Sequence, residues 1–321
     1  MKKFFLLFCF VLSSLSGINA STPIGDIYIR DPFILADSAT GFYYMYCSST
    51  VPAGDGSNCG GVAVYKSGDM KNWTGPSQVC TLPEDNWSTG VIWAPEVHEY
   101  KGKYYLFATV NSDVEWKAGI EGRPPYTYRG TQIFRSDSPD GPFEALSKLP
   151  ATPMDEMALD GTLWVENDVP YMIYCHEWVQ IGDGSMKFVR LSDDLSEPEG
   201  EPVRLFNASA AKWSTGSGDG NYVTDGCYLY RTKDGKLLMI WSSFMNGEYA
   251  IGVSESVTGK VAGPWRQIEE PLFNRNGGHG MLFKDFGGEL HLVIHVPNSP
   301  AGQERACIFD IEDTGASLRM K

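Results

Sequence analysis

Helical periodicity is almost missing from this sequence, for no apolar stripe at i, i+3, i+4 runs beyond about two turns. Neither a helix bundle nor an alternating α/β fold fits that pattern. Basic residues are also in short supply, 26 against 40 acidic ones, giving a formal net charge of −14. Phosphate backbones are held by positive patches, so nucleic acid is not an expected partner. Histidine occurs only five times, and no two of the seven cysteines stand at a metal-ligand spacing such as C-x-x-C. No apolar run is long enough to span a bilayer. Disorder is excluded from the opposite side. With 42% hydrophobic and 13% aromatic residues, the chain carries more apolar surface than a disordered one leaves in water.

What is present begins with a leader. Lys2 and Lys3 precede the apolar run Phe4–Val11, a Ser/Gly stretch follows, and Ala20 is a small residue at the expected cut. Residues 1–20 therefore read as a signal peptide and 21–321 as a single mature domain, secreted or periplasmic. Cys9 goes with the leader. Export permits a bridge among Cys47, Cys59 and Cys80. Otherwise these, with Cys175, Cys227 and Cys307, are buried thiols.

Strand signals dominate the rest. Short runs rich in Tyr, Phe, Val, Ile and Leu recur between turn residues, as in Phe42–Cys47, Tyr104–Val110, Tyr171–Cys175, Leu237–Trp241 and Leu290–His295. Each is preceded by a strand that opens on a polar residue: Asp31, Glu96, Asp160, Asp225 and His279, spaced 65, 64, 65 and 54 apart. A third strand follows in most units. Self-similarity at this period predicts an all-β, five-bladed β-propeller forming one catalytic domain. A β-sandwich has no reason to set a polar residue at the same point of every hairpin.

In a propeller the first strand of each blade lines the central channel. Three Asp, one Glu and one His would then converge on one axis. A lone turn-starting Asp caps backbone N–H groups and means little, but five converging polar residues predict a pocket. Carboxylates forced together do not titrate alike, because like charges raise one pKa while a nearby cation lowers another. An acid and a base coexisting at neutral pH is what glycoside hydrolysis requires. Aromatic faces suit the C–H side of a sugar ring, so Phe33, Trp93, Trp178 and Trp213 are candidate contacts. The glycine-rich stretch Gly216–Gly220 is expected to form a rim beside Trp213.

Arg30-Asp31-Pro32-Phe33, Trp93-Ala94-Pro95-Glu96-Val97 and Leu159-Asp160-Gly161-Thr162-Leu163 resemble the motifs of glycoside hydrolase family 43. The likeness keeps the family's order and covers nearly the whole mature chain. It implies a five-bladed propeller that cleaves terminal arabinofuranosyl or xylosyl residues of plant-type saccharides with inversion. By the same likeness Asp31 matches the general base, and Asp160 the carboxylate that orients the acid and raises its pKa. His279 matches a fifth-blade histidine that lies near water or a calcium ion in many relatives. A structural Ca2+ near His279 is thus implied, with no cofactor required. The substrate-binding set becomes Phe33, Trp93, Glu96, Trp178, Trp213 and His279.

The general acid is where this sequence departs from the family. The usual Glu-Gly-Pro or Glu-Ala-Pro opening of blade four is replaced by Thr224-Asp225-Gly226-Cys227. Asp225 holds the position with one methylene less. Glu177, in Cys175-His176-Glu177-Trp178, stands where the second strand of blade three returns to the pocket face. Glu177 is the favoured acid and Asp225 the alternative. In an inverting enzyme the base and acid carboxyls stand roughly 6.5–9.5 Å apart to admit water. The rival reading is a carbohydrate-binding propeller without catalysis. A sugar transferase or phosphorylase would need an anion site, and no Arg/Lys cluster near the opening residues suggests one.

Overall fold

The computed structural model describes residues 21–52, 56–120, 122–216 and 220–321. The expected signal peptide, and Ser217, Gly218 and Asp219 of the expected rim, lie outside the described residues. The chain forms five antiparallel sheets around one axis, each made of strands consecutive in sequence. Blade one holds Phe33–Asp37, Phe42–Pro52, Asn58–Ser67 and Asn72–Thr81. Blade two holds Ile92–Tyr100, Lys103–Lys117, Tyr126–Ser136 and Glu144–Ala145. Blade three holds Ala158–Glu166, Val169–His176, Ser185–Leu191 and Pro198–Asn207. Blade four holds Asp225–Arg231, Leu237–Met245, Glu248–Ser256 and Trp265–Gln267. Blade five holds Gly278–Lys284, Leu290–Val296, Arg305–Asp313 and Leu318–Met320. The propeller read from the repeat is what the chain forms.

Composition follows radius. Second strands are covered on both faces by neighbouring blades, so they read as continuous apolar runs. Leu237–Ser243 is buried throughout, and so is Tyr43–Tyr46. Outer strands face water and turn polar, as Pro198–Asn207 does. Three hairpins close on two residues that both have positive φ: Lys101-Gly102, Asn167-Asp168 and Asn246-Gly247. That backbone twist matches the twist of the paired strands.

The ring closes without a shared blade, since all four strands of blade five come from the C-terminal segment. Thr22 instead pairs with Trp73 at the outer edge of blade one, and Tyr28 bridges to Arg305 of blade five. Arg30 Nη1 donates to Glu304 Oε1 at 3.0 Å, and Phe286 N donates to the Tyr43 hydroxyl at 3.1 Å. Cys47, Cys59, Cys80, Cys175, Cys227 and Cys307 are free, so the bridge that export would permit among Cys47, Cys59 and Cys80 is not formed. The Cys59 thiol donates to Leu82 O at 3.3 Å, and burial pushes the Cys47 thiol up to about 12.

Candidate active site

At or near the start of each first strand one residue lies in the left-handed region: Asp31 (φ 50°), two residues before its strand, and Ala94 (φ 43°), Asp160 (φ 56°), Gly226 (φ 56°) and His279 (φ 46°) within theirs. In blades two to five this residue sits in a β-bulge, where pairing skips between Trp93 and Glu96, Leu159 and Thr162, Asp225 and Tyr228, and Gly278 and Met281. A bulge re-aims side chains and ends regular pairing. Here it turns Asp160 and His279 toward the axis, and the same left-handed backbone, just ahead of a regularly paired strand, does so for Asp31. Gly226 is required at its site, because a Cβ there would lie 2.9 Å from His279 Cγ.

The bulge also corrects the phase of the repeat. Ala94, not Glu96, is the blade-two counterpart of Asp31. Glu96 lies further down the channel, buried and paired with His98 Nε2 at 2.9 Å, outside the cavity. Asp225 comes one residue before Gly226 and still reaches the cavity.

That cavity, of about 450 Å³, brings together Asp31, Asp160, Glu177, Asp225 and His279, with Trp93 and Trp178. Phe33 does not reach it. The ring is only 3% exposed and packs edge-on to His98 (5.2 Å) and Tyr228 (6.3 Å) inside the channel. Trp213 is also core, at 3% exposure. Its indole lies against Trp241 at 4.8 Å and over Gly252, where an added Cβ would come within 2.1 Å of the ring. An aromatic residue near a pocket motif carries no information about which way its side chain turns, and burial wins for these two.

Sequence reasoning did not find Arg30, Tyr249 and Asn298 in the cavity wall, nor Arg129 and His295 against its carboxylates. His295 stands near the end of the second strand of blade five and pairs with Gly278 as Cys175 pairs with Leu159 in blade three. Tyr249 and Arg129 come from third strands and left no local signal.

The electrostatics separate one carboxyl from the rest. Burial works to raise Asp31, but His279, His295 and Arg30 outweigh it and hold its carboxyl well below the usual range. His279 Nδ1 is 3.4 Å from Asp31 Oδ1 and 3.7 Å from Asp160 Oδ2. His295 Nδ1 is 3.2 Å from both the Asp31 amide and its Oδ1. Asp160 goes the other way. Burial and the Asp31 charge raise it well above the ordinary value, against an N–H bond from Gly226 at 2.9 Å. Asp225 is pushed up to about 7 by burial and Asp160, although the Tyr249 hydroxyl donates to its Oδ2 at 2.8 Å. Burial also raises Glu177, partly offset by its ion pair with Arg129.

The calcium ion expected near His279 is not supported. Among the described residues no group of three or more His, Cys, Asp or Glu side chains is placed to hold a metal ion. Calcium takes oxygen ligands, and the His279 nitrogen instead faces the two carboxylates directly.

The channel-lining cavity thus holds one carboxyl whose pKa is lowered and three whose pKa is raised, beside two indoles. The model of glycosyl hydrolases family 43 matches residues 20–310, and the chain belongs to that family. The solved endo-arabinase of Bacteroides thetaiotaomicron VPI-5482 is 39% identical, with a TM-score of 0.80 over 91% of this chain and 97% of that one. The extracellular exo-α-(1→5)-L-arabinofuranosidase ArbA of Cellvibrio japonicus is 22% identical over 88% of this chain and 68% of that enzyme. The extracellular endo-α-(1→5)-L-arabinanase 1 of Bacillus subtilis is 41% identical over 58 residues, 16% of this chain and 18% of that enzyme. Among the described residues no helix is long and apolar enough to cross a membrane.

Proposed function

We propose that this family 43 hydrolase cleaves α-L-arabinofuranosyl bonds of arabinan-type saccharides, with inversion, outside the cytoplasm. The substrate reading rests on the likeness to proteins named endo-arabinase and arabinofuranosidase. The names of the Bacillus subtilis and Cellvibrio japonicus relatives, both called extracellular, and the leader-like residues 1–20 support export.

The observation that carries the chemistry is the split within one cavity. Asp31 is held ionised while Asp160, Asp225 and Glu177 are held toward the protonated form. Asp31 is the base that takes a proton from water as it attacks the anomeric carbon. Glu177 is the acid that protonates the departing oxygen. A carboxyl raised by burial holds its proton longer and is suited to that transfer. Asp160 adds to the field on the acid and fixes the Gly226 amide. Asp225, tied to Tyr249, is assigned to a sugar hydroxyl and is the alternative acid. Trp93 and Trp178 are the platforms for the sugar.

NMR of the first-formed sugar, using aryl α-L-arabinofuranosides, linear α-1,5-arabino-oligosaccharides and aryl β-D-xylosides, tests this reading. β-L-arabinose appearing first from an α-linked substrate is the expected result. α-L-arabinose appearing first would overturn inversion. Turnover of the xylosides alone would overturn the sugar assignment. Binding without turnover would leave a carbohydrate-binding propeller.

A further inference from the structure

We propose that Arg129 is a positioning residue that holds the acid Glu177 and the sugar platform Trp93 in one frame, so that stacking and proton delivery are set together. The inference rests on the assignment of Glu177 as the acid and adds a residue to it.

Arg129 belongs to the third strand of blade two, while Glu177 follows the second strand of blade three, so their contact spans two blades. Arg129 Nη1 donates to Glu177 Oε2, and Arg129 Nε donates to Asn111 Oδ1 at 2.5 Å. The guanidinium carbon stands 4.4 Å from the centre of the Trp93 ring. Asn111 Nδ2 in turn donates to Val91 O at 3.0 Å, two residues before Trp93. The backbone repeats the connection, since Arg129 bridges to Met157 and Glu177 N donates to Met157 O at 2.9 Å.

Both side chains of the ion pair are largely buried, whereas Trp93 keeps 40% of its surface exposed at the cavity edge. One planar cation therefore occupies an indole face and orients a carboxyl at the same time. Only a guanidinium does this, because its donors lie in a flat fork while a lysine ammonium is a point charge on a flexible stem. The charged groups facing Glu177 are Arg129 and, across the cavity, Asp160 and Asp225. Arg129 is the sole cation of that set and opposes the burial that raises Glu177.

The test uses the full chain with Arg129→Gln, Arg129→Lys and Glu177→Gln, on phenyl and 2,4-dinitrophenyl α-L-arabinofuranosides. In Arg129→Gln the alkaline limb of kcat/KM moves to higher pH, because an acid without its cation holds its proton longer. Its KM also rises about fivefold as the indole loses its cation contact. Arg129→Lys keeps the limb near the wild-type position and still shows the raised KM. This second variant retains the charge in case the neutral one does not fold. An unmoved limb in Arg129→Gln overturns the proposal whatever happens to kcat, and so does a wild-type KM in Arg129→Lys.

Glu177→Gln reports on the underlying assignment. As the acid, its loss lowers turnover of the phenyl glycoside about 10²-fold or more and spares the dinitrophenyl one, whose leaving group departs without a proton. Equal, wild-type turnover of both removes Glu177 from the acid role, and the proposal for Arg129 falls with it. Selective loss in Glu177→Gln beside an unmoved limb in Arg129→Gln overturns the proposal alone.

Discussion

The two ends of the central channel are built from the same five strands and hold opposite chemistry. At one end left-handed residues stand at or near the strand starts, within bulges in blades two to five, and Asp31, Asp160, Asp225 and His279 face a cavity. At the other end the same strands present Phe33, Val97, Leu163, Tyr228 and Met281 around a second hollow. Between them Phe33, His98 and Tyr228 meet edge to edge. The repeat supplies convergence at both ends equally. What separates them is backbone conformation. Regular pairing lays side chains in alternation along the sheet, whereas a bulge breaks the alternation and turns short polar side chains into the hole. The convergent carboxyls therefore gather at the end where left-handed residues interrupt or precede the regular strands.

The largest effect should come from the one carboxyl held ionised. Asp31→Asn keeps the shape and removes the proton acceptor, so kcat should fall about 10³-fold or more, near the upper range for loss of a general base. Steady-state turnover on an arabinofuranoside measures it. A drop of only a few fold would show that the base sits elsewhere, and that the asymmetry of the two ends is not catalytic.

A smaller effect probes how strained the protonated carboxyls are. The raised pKa of Asp225 means that folding disfavours its ionised form. The sign follows directly: stability is full below the unfolded value of 3.8 and is lost as pH rises through about 7. Asp225→Asn removes that loss and keeps an oxygen for the Tyr249 hydroxyl. Its Tm should exceed that of the wild type by a few degrees at pH 8 and match it at pH 4. Equal gains at both pH values would show that repulsion within the cavity is not what raises Asp225.

These features were legible in the sequence to different depths. The five-fold hairpin recurrence, its polar starting residues and the Glu177 position were visible because strand polarity and turn residues are local. The phase was not. A bulge adds residues to one strand without a compositional mark, so Glu96 was matched to Asp31 where Ala94 belongs. Facing was lost too, since nothing local says that Phe33 turns into the channel or that Trp213, in a turn after Ala208–Ala210, packs into the core. Arg129, Tyr249 and His295 act on carboxyls from other strands or blades, and nothing in the sequence near them says so. Distance along the chain, more than chemistry, decided what could be read.

The smallest effect concerns the far end and tests whether the division is real. Phe33 follows Asp31 by two residues yet packs edge-on against His98 and Tyr228 in the channel. Phe33→Leu removes two edge contacts and part of a buried ring, for about 1–2 kcal/mol of stability. Thermal denaturation should show the loss, while kcat and KM at a temperature well below the transition stay within about twofold, as for a core change that leaves reacting groups in place. The left-handed Asp31 backbone is held independently, by its amide against His295 and by the neighbouring Arg30 on Glu304 and Asn298. A tenfold fall in kcat would mean that channel packing sets the angle of Asp31. The two ends would then form one device, and the bulge alone would not account for where the chemistry lies.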